Sequence, residues 1–149
     1  MLLIIGFLFL VFIFIGMSAL SGIPLVSIID LPSALFILVP LLFFLFVSKS
    51  GSIIGKYIKT SFKKDYGYTE TELEKLSTAI KNTSKFILGT GGLGFLVGFI
   101  GILMYLENRE MLGPNLAVSL IIVFYAVAIS FCVFFPAQAW AENKINTLS

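Results

Sequence analysis

The chain has 149 residues, of which 58% are hydrophobic and 12% charged, and its formal net charge is +2. A soluble globular domain carries about 25% charged residues, so this composition predicts an integral membrane protein. The chain has no His, and its one Cys, Cys132, lies inside an apolar run. A disulfide framework, a Cys/His zinc site and His-based catalysis within this chain are therefore excluded.

Residues 2–20 form a nearly unbroken apolar run rich in Phe, Ile and Leu. A secretory signal peptide is the alternative interpretation of such a run. The run lacks a positively charged start, however, and it is longer than the usual apolar core of about 7–15 residues. We therefore expect residues 2–20 to be the first transmembrane helix.

Turn residues follow the first run. Gly22 and Pro24 interrupt the apolar pattern, so we expect residues 21–30 to form an outer turn or a short interfacial segment. Asp30 and Pro32 then predict the start of the next helix, with a proline near its first position and a carboxylate near its positive end.

The second span is predicted at residues 31–48, and Pro40 inside it predicts a kink or a helix–helix contact. Residues 49–85 are the only polar stretch of any length and contain most of the basic residues. We expect them to face lipid headgroups or, alternatively, a partner. The basic residues of this loop are Lys49, Lys56, Lys59, Lys63, Lys64, Lys75, Lys81 and Lys85.

The polar loop is predicted to consist of helical extensions of the neighbouring spans. Its first part is basic and amphipathic and is expected to continue the second span. In its second part, Thr69 followed by Glu72 predicts a capping box at the start of a helix that leads into the third span. The loop is too short for a core of its own, so residues 1–149 are expected to form one membrane domain.

Two further apolar runs predict a membrane hairpin: a third span at residues 86–106 and a fourth at 115–136, joined by an outer turn at 107–114. Each run is long enough to cross a hydrocarbon core roughly 30 Å thick. Glycines recur at three- and four-residue steps along the third span and predict close helix packing, within one subunit or between subunits. These glycines are Gly91, Gly94, Gly98 and Gly101.

Residues 89–94 read GTGGLG and match the G-x-G-x-x-G pattern of dinucleotide-binding loops. That pattern binds a pyrophosphate only between a strand and a helix. Here no strand is predicted before it and a membrane span follows it, so nucleotide binding is rejected. We expect no cofactor, no bound metal and no nucleic acid partner.

Charge asymmetry predicts the topology. Nine basic residues lie in the 49–85 loop and in the C-terminal tail, whereas Arg109 alone lies on the other side, beside Glu107 and Glu110. Basic residues that flank spans stay on the cytoplasmic side. We therefore expect an all-α, polytopic membrane protein with four transmembrane helices, both termini in the cytoplasm and helices that extend into it.

Small and weakly polar residues share one face of the fourth span, which suits either a narrow path or close packing. Tyr125 is the large polar residue in mid-span, and its hydroxyl is expected to bond a backbone carbonyl. No acidic or basic residue is predicted deep in a span, so an ion carrier has to come from another chain. An enzyme is not expected, because no nucleophile lies beside a base. The residues of this face are Ser119, Val123, Ala126 and Ser130.

Several segments resemble the flagellar stator A subunit MotA and its relatives TolQ and ExbB. The G-x-x-x-G-x-I-G-I-L run at 94–103 and the L-G-P-x-L-A-V turn at 112–118 carry the resemblance. Tyr125, the F-F-P stop at 134–136 and the I-D-L-P-S segment at 29–33 match in the same order. Four spans fit MotA better than the three-span TolQ and ExbB.

The resemblance implies a pentameric ring in the cell inner membrane, built around a dimeric MotB-, ExbD- or TolR-like partner with one span. A membrane Asp of the partner would carry a proton, and ion flow would drive rotation. The third and fourth spans would line the central channel, with Pro114 at its outer opening. The channel-lining residues implied are Phe95, Ser119, Ile122, Val123, Ala126 and Ser130.

Two departures from the family pattern modify these expectations. The 49–85 loop is much shorter than the loop through which many stator A subunits engage the rotor, so a flagellar torque role is not expected. Phe95 and the Ile122–Val123 pair occupy positions where the family often has Thr. Without hydroxyl oxygens a sodium path is disfavoured. The alternative function is a non-conducting, ring-forming membrane scaffold.

Overall fold

The structure is a computed structural model that describes residues 2–22, 24, 26, 29–61, 67–104, 106 and 109–148. Within these residues the fold is 90% helical and has no strand, which confirms the predicted all-α class. Lys63, Lys64 and Glu107, which the topology argument used, lie outside the described residues, as do parts of the two predicted outer turns. The helices are α1 (Leu2–Ser21), α2 (Leu31–Val47), α3 (Ser50–Thr60), α4 (Glu70–Met104), α5 (Arg109–Ile129) and α6 (Phe135–Asn146), with a π-helical turn (Ser130–Phe134) between α5 and α6.

Three helical stretches in the described part of the chain are long and apolar enough to cross a membrane: α1, α4, and α5 continued through α6. The α2–α3 pair supplies a fourth if its two helices count as one span. A polytopic membrane protein is therefore supported by the length and composition of its helices.

A sharp bend separates α2 from α3. The two helix axes differ by 92°, and Lys49 between them adopts a left-handed conformation with φ of 56°. A left-handed residue interrupts the helical hydrogen-bond ladder and redirects the chain. The predicted continuation of the second span is therefore helical but does not follow the axis of α2.

The predicted start of α2 is confirmed. Asp30 is the N-cap, and its carboxylate accepts a 2.8 Å hydrogen bond from the Ser33 N–H, while Pro32 lies in the first turn. The Ser33 hydroxyl also donates to the same carboxylate oxygen. These bonds satisfy donors that have no partner inside the helix, which stabilises its start.

The predicted capping box at the start of α4 is confirmed as well. The Thr69 N–H donates to the Glu72 carboxylate at 3.3 Å, and the Glu72 N–H donates to the Thr69 hydroxyl at 3.4 Å. From there α4 continues without a break for 35 residues, through the second half of the polar loop and the whole third span. It is roughly 52 Å long, well beyond one bilayer thickness.

The helix that contains the predicted fourth span begins before that span. Helix α5 starts at Arg109 rather than at Asn115, so Pro114 lies inside the helix and not in the outer turn. Pro114 removes one hydrogen bond, the one to the Glu110 carbonyl. This loss falls close to the helix start, where a proline disturbs few intrahelical bonds.

The F-F-P sequence does not end the helix that contains the predicted fourth span. The Phe135 N–H bonds the Ser130 carbonyl five residues back, which makes a π turn, and α6 then continues to Asn146. The cause is Pro136, which has no N–H to offer the Cys132 carbonyl. One extra residue in the turn absorbs this mismatch, and the chain stays helical.

Helices α4 and α5 form a central antiparallel pair. Helix α2 packs against both of them, and α1 packs along the π turn and the helices on either side of it. Gly6 of α1 lies so close to Cys132 that a Cβ on it would collide with the Cys132 carbonyl oxygen. This carbonyl is the one that Pro136 leaves without a helical donor, and a Cα–H of Gly6 is suited to approach it.

At the polar end, α3 and α6 pack on the first half of α4. The rings of Tyr57 and Trp140 lie 5.4 Å apart, and Tyr68 meets both of them. Burial raises the pKa of Tyr57 above its ordinary value. Also at this end, the hydrogen bond from Gln138 lowers the pKa of the exposed Glu142 most, and the one from Ser77 lowers it further.

Candidate functional site: the paired helices α4 and α5

The glycines of α4 lie where α5 comes closest. A Cβ on Gly98 would collide with the Ser119 hydroxyl, and one on Gly91 with the Ala126 side chain. A Cβ on Gly94 would lie 2.5 Å from the Ile122 side chain and 2.8 Å from the ring of Phe36. The absence of side chains thus lets two backbones approach closely, in a setting where lipid provides little drive for helix association.

Three of the four predicted packing glycines therefore serve contacts within the subunit. Gly101 does not, because a Cβ placed on it would meet no other atom within 4 Å. It lies near the end of α4, beyond the part that α5 and α2 cover closely. The question that the sequence left open, packing within or between subunits, is answered for Gly91, Gly94 and Gly98 by their contacts inside one chain.

Four of the predicted channel-lining residues are buried inside the subunit. The exposed fractions of Ser119, Ile122, Ala126 and Ser130 are 0%, 6%, 1% and 1%. Ser119, Ile122 and Ala126 face the glycines of α4. A residue that lines a path needs an open surface, whereas these four side chains are packed inside the folded subunit.

The hydroxyl groups at these positions are also engaged locally. Ser119 donates to the Asn115 carbonyl in its own helix at 2.7 Å, and Ser130 donates to the Ser84 carbonyl of α4 at 3.4 Å. Such bonds satisfy a hydroxyl inside an apolar region. Both hydroxyls of Ser119 and Ser130 thus have acceptors within the subunit.

Phe95 and Val123 remain partly exposed, so these two predicted channel residues keep an accessible surface. The Phe95 ring stacks on that of Phe99, one turn further along α4, at a centroid distance of 6.0 Å. Pro114 is exposed on α5. The accessible members of the predicted site are therefore apolar.

Tyr125 makes a contact that the sequence did not predict. Its hydroxyl accepts a 3.0 Å hydrogen bond from the backbone N–H of Asp30, at the start of α2. The expected partner was a backbone carbonyl, whereas this partner is a backbone donor on another helix. Periodicity reveals no such pair, because the two residues are 95 positions apart in the chain.

This bond places Asp30 level with the second half of α5. Tyr125 lies roughly 24 Å along α5 from Arg109, at 1.5 Å per residue. Exposed apolar side chains, including Leu116 and Met111, cover the part of α5 between that level and the helix start. Exposed apolar surface on a spanning helix is suited to hydrocarbon, so this part of α5 fits a lipid environment.

Two apolar stripes remain uncovered on the helix pair. Each follows the three- and four-residue spacing of one helix face, and each lies on a different helix. On α4 the exposed side chains are Leu93, Leu96, Val97, Ile100, Leu103 and Met104; along α5 and its continuation through the π turn into α6 they are Leu116, Leu120, Val127, Phe131 and Phe135. A membrane protein can place such stripes against lipid or against neighbouring copies of itself.

The face of α2 that meets α4 was missed in the sequence analysis. Phe36 packs on Gly94, and Phe44 stacks on Phe86 with ring centroids 4.4 Å apart. The spacing of the two α2 residues, two steps of four positions, is visible in the sequence. It carried no signal because α2 is apolar on every side. Within the described residues no cluster of Cys, Asp and Glu is placed to hold a metal ion.

Comparison of the chain with family models, with curated proteins and with solved structures found no match in any of the three.

Proposed function

We propose that the chain is a ring-forming membrane subunit of the MotA/TolQ/ExbB kind, which surrounds a single-span partner and couples proton flow to movement of that partner. The proposed assembly is a homopentamer in the inner membrane, with both termini in the cytoplasm. The partner, of the MotB, ExbD or TolR type, would contribute the membrane Asp that carries the proton.

The observation that supports this proposal is the form of the α4–α5 pair. The glycines of α4 allow the two helices to pack closely, and both α4 and the continuous stretch from α5 through α6 are longer than a bilayer is thick and extend toward the lysine-rich end. The pair leaves one apolar stripe on each helix. Two different self-associating surfaces on one subunit generate a head-to-tail interface, which closes into a ring when the rotation between subunits allows it.

A second candidate function is a ring that does not conduct. It is favoured by the burial of Ser119 and Ser130, because the remaining candidates, Phe95 and Val123, offer a passing ion no oxygen. A path lined by apolar side chains alone excludes hydrated ions. In the conducting case the partner's helix has to provide the polar groups.

The assembly is tested by native mass spectrometry of the chain released from a mild detergent. The proposal expects a closed oligomer of one defined size, five copies by analogy with the resemblance. A monomer under conditions that keep the helices folded would refute both the motor and the scaffold.

Conduction is tested by proton flux into proteoliposomes that contain the chain with a partner of the stated type. If the chain is a motor subunit, we expect proton flux that stops when the partner's membrane Asp is changed to Asn. Absence of flux with an intact ring favours the scaffold. Flux that survives in the partner variant but stops in Asp30→Asn would move the carrier role to this chain.

A further inference from the structure

A groove of about 880 Å³ runs between α2 and α4. On α2 it is lined by Phe36, Pro40, Phe44 and Ser48, which are four residues apart and so lie in one row along the helix. The row is roughly 18 Å long at 1.5 Å per residue. One leaflet of a bilayer contributes about half of a hydrocarbon core roughly 30 Å thick. The groove therefore has the depth of a single leaflet.

The walls of the groove are apolar, and a glycine keeps it open. The stacked rings of Phe44 and Phe86 form part of the lining. Gly89 lines it on α4, and a Cβ placed there would meet no atom within 4 Å. The volume lies within the range of roughly 300–1,000 Å³ that is usual for small-molecule sites. The space suits a flexible chain of methylene groups.

One end of the groove is polar and basic. Lys85 lines it one helical turn from Gly89, together with Asn82 and Ser48. A second pocket of about 400 Å³ adjoins this end, since it shares Ser48 and Asn82 and also includes Lys75. Glu74 lines that second pocket too.

Lys85 is free to bind an anion at this end. Its side chain is exposed, and within the described part of the chain no carboxylate oxygen lies within 4.0 Å of its ammonium group. Helix α3 also begins at Ser50 beside this junction, so its positive end adds to the local field.

We propose that the groove binds one anionic phospholipid from the leaflet on the lysine-rich side. An acyl chain occupies the apolar row from Ser48 toward Phe36, and the phosphate lies against the Lys85 ammonium and the Asn82 amide. Basic pockets between transmembrane helices are suited to such headgroups. The site requires only that α2 and α4 lie side by side in the membrane, so it does not depend on the proposed motor function.

A helix of a second copy fits the groove less well than a lipid chain. An α-helix with its side chains is about 10–12 Å across. The Phe44 and Phe86 rings are in contact at 4.4 Å, so α2 and α4 are not separated widely enough to admit a third helix between them. A helix laid over the groove would also cover Lys85 without neutralising its charge.

The proposal is tested on the delipidated full chain in a mild detergent, with equimolar phosphatidylglycerol and phosphatidylcholine of identical acyl chains. Native mass spectrometry counts the adducts of each lipid. We expect phosphatidylglycerol adducts to exceed phosphatidylcholine adducts at least fivefold. Lys85→Gln should lower this preference about fivefold, the effect of one basic residue near an anionic headgroup. The matched control is Lys59→Gln, an exposed lysine outside the groove, which should leave the preference unchanged.

A second pair of variants tests the groove itself. Gly89→Leu should fill it without touching other parts of the protein and should remove both adducts, whereas Gly92→Leu, also in open space on α4 but outside the groove, should retain them. Equal binding of the two lipids, or undiminished binding in Gly89→Leu, would overturn the proposal. Loss of self-association in Gly89→Leu with lipid adducts unchanged would assign the groove to a neighbouring copy instead.

Discussion

The backbone N–H of Asp30 donates a 3.0 Å hydrogen bond to the hydroxyl of Tyr125. The bond joins the start of α2 to the second half of α5, and Asp30 at the same time caps α2 through Ser33. One residue thus satisfies the start of a membrane helix and links it to the central pair. In hydrocarbon an unpaired backbone donor costs several kcal/mol, so the Tyr125 hydroxyl stabilises the start of α2 by pairing the Asp30 N–H.

Tyr125→Phe is expected to destabilise the chain by about 1–2 kcal/mol, because it leaves the Asp30 N–H without its acceptor. Thermal unfolding in detergent, followed by circular dichroism, measures the change. Asp30→Asn is the control, since Asn is as good an N-cap and keeps the backbone donor. Equal stability of Tyr125→Phe and the parent chain would show that the bond contributes nothing.

Gly98→Ala is expected to destabilise the α4–α5 pair by about 1–3 kcal/mol, the usual cost of overpacking, because the new Cβ collides with the Ser119 hydroxyl. Adding Ser119→Gly removes the colliding atoms and should restore part of the loss. Gly101→Ala meets open space and should be neutral or slightly stabilising. The melting temperatures of the three variants test this prediction. An unchanged melting temperature in Gly98→Ala would contradict the packing described.

Gly6→Ala is expected to loosen α1 from the π turn at a cost of about 1–3 kcal/mol, since its Cβ would collide with the Cys132 carbonyl oxygen. Gly16→Ala is the matched control on the same helix, where a Cβ meets no atom within 4 Å. Limited proteolysis and thermal unfolding both report on the detachment of α1. The two variants should differ, and identical behaviour would rule out the close contact.

The α4 stripe distinguishes a ring from a monomer in lipid. Leu96→Ala combined with Ile100→Ala removes volume from exposed positions. Lipid would refill that volume at little cost, whereas a neighbouring subunit would lose contacts. We expect at least a tenfold loss of oligomer in native mass spectrometry. Leu35→Ala with Leu42→Ala, exposed on α2, should leave the oligomer intact. An unchanged oligomer in both double variants would place the α4 stripe against lipid.

Alkaline pH should destabilise the polar end. Burial raises the pKa of Tyr57, so the folded chain retains the phenolic proton at a pH where the unfolded chain has lost it. The resulting stability is fully present below the ordinary pKa of about 10 and is lost as the pH rises through the raised value. Trp140, the only Trp, lies 5.4 Å from the Tyr57 ring and reports the change by fluorescence. Tyr57→Phe should flatten this pH dependence. The same alkaline loss in that variant would point to another group.

Local features of this fold could be read from the sequence. The long apolar runs mark the helices, because a chain in hydrocarbon has to satisfy its own backbone groups. Asp30 before Pro32 marks the start of α2, and Thr69 with Glu72 marks the start of α4, because capping involves residues only three positions apart. The lengths of the helices were less predictable, since neither Pro114 nor Pro136 ends the helix that contains it.

The direction in which side chains face could not be read in the same way. In water, the apolar face of an amphipathic helix indicates which side is buried. In a bilayer both the lipid side and the packed side of a helix are apolar. The sequence therefore does not indicate whether Ser119, Ile122 and Ala126 face a channel or the glycines of α4. Only the tertiary structure decided that, because the fit of small residues against glycines is a property of two helices together. The sequence by itself determined that the chain is a membrane protein made of helices. The packing determined which of its surfaces remain open to ions, lipids and neighbouring copies.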